Sequence, residues 1–406
     1  MNAGPRKFTA LAAYLLITAG VCALLLEGLL RVAGWQNADS DFFCYVDDPQ
    51  VGVWMADPAK SRPHINAFGM YDRPRTITRA PGTLRIAILG DSFMNGVHAG
   101  LGNRLSDLLE QGLAPGAEVL NFGISSVGTV QELLIYRHKV RQFKPDLVIL
   151  GLLTMNDIRN NSLELERATG YGFQRSGFFA QPTASGYDIR RELAPERNGL
   201  RVWLGKHSRL YQSLWKAKET VLRRMAAARA DRPSTAVTAA PQAGSPPPQL
   251  FGRPWPAHYL DYGVYGPPMD PAWEQAWKTT EHFLSQMRAE VEADGAQFVL
   301  LLLADPVQID GDARASILKE TGTPPPADFD PDYPNARLEA YARSQGMAVC
   351  NLLPPMRAFA RSHALPPPYF SLANDGHWSP LGHQTAAQIV LPWLKEHILR
   401  PQAPPR

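Results

Sequence analysis

The chain has 406 residues, of which 45% are hydrophobic and 19% are charged. This composition supports a sizeable core and excludes a chain that is disordered throughout. The net charge of +3, with no basic stripe along the sequence, argues against a nucleic-acid partner. The three cysteines form no Cys-x-x-Cys pair or Cys/His cluster, which argues against a zinc site or a disulfide framework.

The first predicted element is an uncharged run of 19 residues, Phe8–Leu26. As a helix it spans about 28 Å, close to the hydrocarbon thickness of a bilayer. Arg6 and Lys7 precede it and acidic residues follow, so we predict one transmembrane helix in the inner membrane, with the bulk of the chain periplasmic. A cleaved signal peptide is the alternative, but no small-residue cleavage site follows, and Glu27 and Arg31 continue the helical pattern as an i,i+4 pair.

Further along the chain, apolar runs alternate with amphipathic segments. This alternation predicts a mainly parallel five-stranded sheet covered by helices on both faces. The predicted fold is therefore α/β, a three-layer α/β/α sandwich. The predicted strands are Leu84–Leu89, Glu118–Asn121, Leu147–Leu152, Phe298–Leu303 and Ala348–Leu352, and the predicted helices are Thr129–Phe143, Ala272–Ala293, Ala336–Ser344 and a last one from about Ser379 to Ile398.

The same patterns predict how the chain is divided. Residues 1–33 form the cytoplasmic tip and anchor, 34–83 a juxtamembrane segment, 84–398 the α/β domain and 399–406 a tail. About 145 residues separate the third strand from the fourth, far more than a loop needs, which predicts an insertion at about 160–270. The insertion contains a basic helical segment, His207–Ala228, and a Pro-rich part, 229–250, that we expect to be disordered. It either shapes a substrate cleft or decorates the surface.

Four polar patches lie at or beyond the ends of predicted strands. They are Gly90-Asp91-Ser92, Asn121-Phe122-Gly123, Thr154-Met155-Asn156-Asp157 and Asn374-Asp375-Gly376-His377. A serine at a tight glycine turn exposes its hydroxyl, and backbone N–H groups or an asparagine side chain can stabilise an oxyanion. A histidine with a nearby carboxylate suits a general base and its orienting partner. Each patch alone is also typical of caps and loops.

Together, the order and placement of these patches resemble the SGNH (GDSL-type) hydrolase family. The likeness spans about Arg85 to Leu394, apart from the insertion, and Ile65–Asp72 is similar to the segment before the first strand in membrane-anchored bacterial members. The resemblance implies the flavodoxin-like SGNH fold and ester hydrolysis without a metal or an organic cofactor. It also implies that Ser92 is the nucleophile, His377 the general base and then acid, and Asp375 the residue that orients His377.

The resemblance further implies an oxyanion hole made by the Ser92 N–H, the Gly123 N–H and the Asn156 side chain. Asp91 and Asp157 are expected to support these groups, and His383 to tether the last helix. Two positions depart from the family pattern. A threonine, Thr154, stands where the family has glycine, and the late pair is spaced D-x-H instead of D-x-x-H, which puts Asn374 at the usual aspartate position.

The expected activity is that of a serine esterase that removes O-acyl groups, first of all O-acetyl groups, from an extracytoplasmic glycan or another small ester. One alternative is a polysaccharide O-acetyltransferase, in which a sugar hydroxyl replaces water at the same residues. Another is a degenerate carbohydrate-binding module, whose insertion aromatics would stack on sugars. These aromatics are Trp255, Tyr259, Tyr262 and Tyr265. Sequence does not separate hydrolysis from transfer, because water exclusion is a property of the cleft. The D-x-H spacing and Thr154 are the features that keep the binding module open.

Overall fold

The computed structural model describes residues 5–33, 46–54, 64–169, 177–193, 203–204, 207–214, 217–218, 257–372 and 376–399. These residues belong to two compact units. The first contains the amino-terminal helix α1 (Pro5–Val32) and the described residues between 203 and 218. The second contains all the other described residues and carries the sheet.

The second unit alternates strands and helices along the chain. The strands are β1 (Val46–Asp48), β2 (Gly52–Trp54), β3 (Leu84–Gly90), β4 (Ala117–Asn121), β5 (Leu147–Leu152), β6 (Gly177–Thr183), β7 (Gly186–Glu192), β8 (Gln297–Leu302) and β9 (Ala348–Asn351). The helices are α2 (Ser92–Asn95), α3 (Leu105–Leu113), α4 (Thr129–Ile135), α5 (Thr154–Asn160), α6 (Leu163–Ala168), α7 (Pro271–Ala293), α8 (Pro306–Ile309), α9 (Ala313–Thr321), α10 (Tyr333–Ser344), α11 (Leu353–Ser362) and α12 (Pro380–His397).

Five of these strands form one parallel sheet in the order β4-β3-β5-β8-β9. In chain order this is 2-1-3-4-5, the order of flavodoxin-like doubly wound folds. The structure therefore confirms the predicted sheet, and every predicted strand boundary lies within one residue of the observed one. The apolar runs made this possible, because strands buried on both faces read as continuous hydrophobic stretches.

The core lies in two layers, one on each face of the sheet, and successive strand residues alternate between them. In β3, Ile86 and Ile88 pack with residues of α3, α11 and α12. Ala87 and Leu89 point to the other face, where residues of α4, α7 and α10 cover them. This period of two produces the predicted three-layer α/β/α sandwich.

The predicted helices are also present. Residues of α4 continue through a π-helical turn (Tyr136–Val140) and a 3₁₀ turn (Arg141–Phe143), so the helical run ends where the sequence predicts. In α12, Ser379 is the N-cap and accepts the N–H of Gly382 at 3.4 Å, and Pro380 takes the first helical position.

Part of the insertion was not foreseen as regular structure. Strands β6 and β7 form an antiparallel hairpin that pairs Gly177 with Glu192 and Thr183 with Gly186. The predicted disordered stretch, 229–250, lies outside the described residues, as does most of the predicted helix His207–Ala228.

A buried charge network lies at the start of α3. Asp72, which the sequence assigns to a juxtamembrane segment, accepts hydrogen bonds from Arg75 Nε at 2.8 Å and from Arg104 Nη2 at 3.1 Å. Arg104 also donates to Asp107 at 2.8 Å. The side chains of Asp72 and Arg104 are almost fully buried, so each charge depends on its partners. The network fastens residues 72–75 to the edge of the sheet that carries the second polar patch.

In the other unit, α1 contains a 20-residue stretch, Ala13–Val32, with a mean hydropathy of 2.0. This helix is long and apolar enough to cross a membrane. A signal sequence would share those properties.

Candidate active site

The site lies where the strand order of the sheet reverses. From β3 the chain proceeds first to β4 on one side and then to β5 on the other. Ligands of open α/β sheets bind at this switch point, outside the carboxyl ends of the strands. Asp91 and Ser92 directly follow β3, and Asn156 lies in the first turn of α5, just after β5.

A glycine turn presents Ser92. Gly90 has a φ of 145°, and a Cβ at this position would lie 2.4 Å from the carbonyl oxygen of Gly151 on β5. Only glycine fits there. Asp91 then caps α2, because its Oδ1 accepts the N–H of Phe93 at 2.8 Å. The turn therefore starts α2 at Ser92 itself.

The structure brings Ser92 and His377 together from opposite ends of the α/β unit. The Oγ of Ser92 lies 2.8 Å from the Nε2 of His377. The next residue, Trp378, is buried and donates its Nε1–H to the carbonyl of Ala304, just beyond β8, at 3.0 Å. The ring of Phe93 packs against both His377 and Trp378. The imidazole is thus fixed by its neighbour in the chain and by the helix that carries the serine.

A second imidazole, which was not predicted from the sequence, faces the first. His98 stacks on His377 with 4.2 Å between ring centroids and 23° between ring planes. The only sequence signal was a histidine six residues after Ser92, and that spacing alone does not indicate a contact between the two imidazoles.

The third patch approaches the same point. The Nδ2 of Asn156 lies 3.4 Å from Asp91 Oδ2, which is also 3.4 Å from Ser92 Oγ. Asp157 is buried and accepts the N–H of Leu153 at 2.8 Å, so it closes the start of α5. Thr154, the departure from the family glycine, is buried, and its hydroxyl donates to Asn335 Oδ1 at 3.2 Å. The threonine therefore fits the turn with its hydroxyl satisfied.

Gly123 departs from the expectation that its N–H serves the oxyanion hole. That N–H donates to Asn121 Oδ1 at 2.9 Å, and the carbonyl of Gly123 accepts from Asn95 Nδ2 at 2.8 Å. A Cβ on Gly123 would lie 2.2 Å from the backbone nitrogen of Asn95. This glycine is therefore needed for close contact with α2. The left-handed residue of the same loop is Ser126, with a φ of 62°.

The fourth patch is only partly described. Asp375 and Asn374 lie outside the described residues, so their contacts with His377 stay a prediction. His383 is buried in α12 and accepts the N–H of Leu105 on α3 at 3.3 Å. Burial lowers the pKa of His383 to about 4, so at neutral pH it is an uncharged acceptor that joins α12 to α3.

Three fully buried carboxyl groups interact electrostatically beside Ser92: Asp91, Glu132 of α4 and Asp157. Burial raises the pKa of all three, and the charge of Asp91 raises the pKa values of Glu132 and Asp157 further. Neither oxygen of Glu132 has a hydrogen-bond partner among the described residues. A charge on Asp91 therefore disfavours a charge on either of the other two carboxyl groups.

Asp91 is the member of this trio that is best placed to hold the negative charge. Its carboxylate accepts from the Phe93 N–H and lies near the Ser92 hydroxyl and the Asn156 amide. Its attraction to His377 also lowers its pKa, against the larger effect of burial.

The structure also bears on the insertion aromatics and on metal binding. Tyr265, one of the insertion aromatics, is fully buried, so it packs inside the domain and does not serve the alternative in which it stacks on a sugar. The side chains of Trp255 and Tyr259 lie outside the described residues. Within the described ranges, no three His, Cys, Asp or Glu side chains converge as ligands for a metal ion.

No protein-family model matches the chain, and no curated protein does. The chain is similar to solved structures of GDSL-type ester hydrolases. An acetyl-xylooligosaccharide esterase from Geobacillus is 13% identical, with 79% of this chain and 99% of that one covered and a TM-score of 0.38. A G-D-S-L family lipolytic protein from Veillonella parvula is 11% identical, with 77% of this chain and 100% of that one covered and a TM-score of 0.37. A lipase/acylhydrolase from Enterococcus faecalis is 13% identical, with 79% of this chain and 100% of that one covered and a TM-score of 0.35.

Replacing Gly123 with alanine tests whether this residue is a contact glycine. We expect Gly123→Ala to lower the free energy of unfolding by about 1–3 kcal/mol or more, because its Cβ meets the backbone of α2. Urea unfolding measures the change. Gly116→Ala is the control, since a Cβ there meets no atom within 4 Å. Equal stability of the two variants would contradict the contact role.

Replacing Glu132 with glutamine tests the buried carboxyl trio. Because burial raises the pKa of Glu132, the folded state keeps a proton that the unfolded state loses, and stability falls as pH rises above the ordinary glutamate pKa. Glu132→Gln removes that loss, so its melting temperature should exceed that of the wild type by a few degrees more at pH 8 than at pH 5. Glu164→Gln, at an exposed position of α6, is the control. If the melting temperatures of the wild type and Glu132→Gln changed with pH in parallel, the proposed effect of the buried carboxyl trio on stability would be rejected.

Proposed function

We propose that the chain is a membrane-anchored serine esterase of the SGNH type, which hydrolyses small O-acyl esters through an acyl-serine intermediate. The observation that carries this proposal is the 2.8 Å distance between Ser92 Oγ and His377 Nε2, at the switch point of a flavodoxin-like sheet. A hydroxyl held against an imidazole is the arrangement that nucleophilic acyl transfer requires.

In the first half of the reaction, Ser92 Oγ attacks the ester carbonyl carbon while His377 Nε2 accepts the hydroxyl proton. The oxyanion is received by the Ser92 N–H and the Asn156 side-chain amide, because the Gly123 amide is engaged by Asn121. Asp91 balances the imidazolium charge, and Asp375 is proposed to orient the ring. His377 then gives its proton to the leaving alcohol.

In the second half, water attacks the acyl-serine and His377 accepts a proton from that water. The serine regains its proton when the acid leaves, so the enzyme returns to its starting state. Every proton is carried by His377, and the chemistry needs no group beyond the chain and water.

The setting of the nucleophile bears on the substrate. The Ser92 residue is only 7% exposed, which favours a small acyl group such as acetyl. We propose an O-acetylated glycan as the carrier of that group, because the predicted location of the domain is the periplasm. Transfer to a sugar hydroxyl instead of water would use the same residues.

The anchor is proposed to remain on the protein. Glu27, near the end of the apolar helix, accepts hydrogen bonds from the N–H groups of Arg209 and Leu210. A signal sequence that is removed has no need for such contacts with a distant part of the chain. We therefore propose a single-pass inner-membrane protein whose α/β domain is periplasmic, in agreement with Arg6 and Lys7 before the helix.

Hydrolysis of p-nitrophenyl acetate by the purified full-length protein tests the proposed function. Ser92→Ala should lower kcat/KM by roughly 10³-fold or more, because the nucleophile is lost while the remaining groups stay in place. Ser362→Ala, at the end of α11, is the matched control and should keep wild-type activity.

The melting temperature of each variant shows whether the fold is retained. Wild-type turnover in a folded Ser92→Ala protein would reject the serine mechanism. A second assay adds a glycan acceptor. If acetylated oligosaccharide accumulated faster than free acetate, the activity would be that of an acetyltransferase and not of an esterase.

A further inference from the structure

The apolar helix α1 carries a charged pair close to one end. Glu27 and Arg31 both lie within the stretch Ala13–Val32, and Arg31 Nε donates to Glu27 Oε1 at 2.7 Å. Charged side chains are costly inside hydrocarbon, so those that occur there need partners. Arg31 alone satisfies only part of the Glu27 carboxylate.

The other partners come from a segment about 180 positions away, comprising residues 203–204 and 207–214, which we call the docking segment. Ser208 Oγ and the N–H of Leu210 donate to Glu27 Oε2, each at 2.9 Å, and the N–H of Arg209 donates to Oε1 at 3.1 Å. Arg31 Nη2 donates to the carbonyl of His207. The carboxylate thus takes up backbone N–H groups at the start of a helical turn, where a negative charge is favourable.

These contacts fix the depth of the docking segment relative to the membrane. Glu27 lies five residues before Val32, the end of the apolar stretch, which is about 7.5 Å along the helix. If α1 spans the bilayer, this level lies at the boundary between the hydrocarbon and the headgroups. The contacting residues of the docking segment must lie at the same level.

The composition of the docking segment suits that boundary. Trp203 and Leu214 are 55% and 61% exposed, and the ring of Trp203 stacks on His207. The segment also contains Tyr211 and Arg209. Tryptophan and tyrosine are enriched at membrane–water interfaces, and arginine is attracted to anionic headgroups.

We propose that the docking segment lies in the headgroup layer beside the end of α1, and that its partner is the phospholipid surface. This proposal rests on the proposed anchor. Together, α1 and the docking segment give the first unit two contacts with the bilayer. An apolar side chain such as Leu214, exposed in water, is then covered by lipid.

The test is site-directed spin labelling of the full chain in liposomes that contain anionic phospholipid. A label at Leu214→Cys is compared with one at Leu318→Cys, an exposed position on α9 of the other unit. Cys22 and Cys44 are first replaced with serine, whereas Cys350 is buried and can stay. Collision of each label with oxygen and with a water-soluble nickel chelate gives its depth.

The label at position 214 should be several-fold less accessible to the nickel chelate than the label at 318, and should gain oxygen accessibility. Glu27→Ala removes the carboxylate that holds the docking segment, so it should restore much of the nickel accessibility at 214. Equal aqueous accessibility at 214 and 318 in the membrane-bound protein would overturn the proposal.

Alkaline carbonate extraction separates this outcome from failure of the anchor. Release of the chain into the soluble fraction would reject the anchor and the docking segment together. Retention of the chain with a water-exposed label at 214 would reject the docking segment alone.

Discussion

The contact between β3 and β5 is the constraint on which the rest of the site depends. Gly90 and Gly151 are paired across these strands, and no Cβ fits at Gly90. The backbone can therefore turn sharply at the end of β3 and put Ser92 at the start of α2. Met94 also occupies the space beside both glycines. A bulkier residue at either one would displace α2, the helix that begins at Ser92.

Two kinds of buried charge surround this turn and have different consequences. In the network of Asp72, Arg104 and Asp107, opposite charges are paired, so the groups hold the segment before β3 to the start of α3. Among the described residues, no buried arginine or lysine lies at hydrogen-bond distance from the carboxyl trio of Asp91, Glu132 and Asp157. A charge on Asp91 raises the pKa values of the other two groups, and we infer that Asp91 is the one that holds a negative charge.

Much of the fold could be predicted because the sheet is buried on both faces. Its strands read as apolar runs, and the cap at Ser379 marked the last helix. The hairpin β6–β7 was missed because Pro182 and several charged residues interrupt its pattern. Glu132 was missed for a different reason: a glutamate in a helix usually faces solvent, and only the tertiary structure shows that this one is buried.

The four patches predicted the region of the site but not the use of each group. The distance between Ser92 and His377 follows from topology, because both lie at carboxyl ends of one parallel sheet. The Gly123 contact could not be foreseen, since a loop glycine that donates to a ligand and one that packs on a helix have the same sequence. The stacking of His98 on His377 could not be foreseen either, because it depends on the path of the loop that carries His98.

The central claim is that His377 activates Ser92, and the rate at which a fluorophosphonate modifies the folded protein tests it most directly. Mass spectrometry should find the label on Ser92, and His377→Gln should slow the modification by about 10²-fold or more, whereas His363→Gln at the end of α11 should leave the rate unchanged. A label on another residue, or an equal rate in His377→Gln, would contradict the claim.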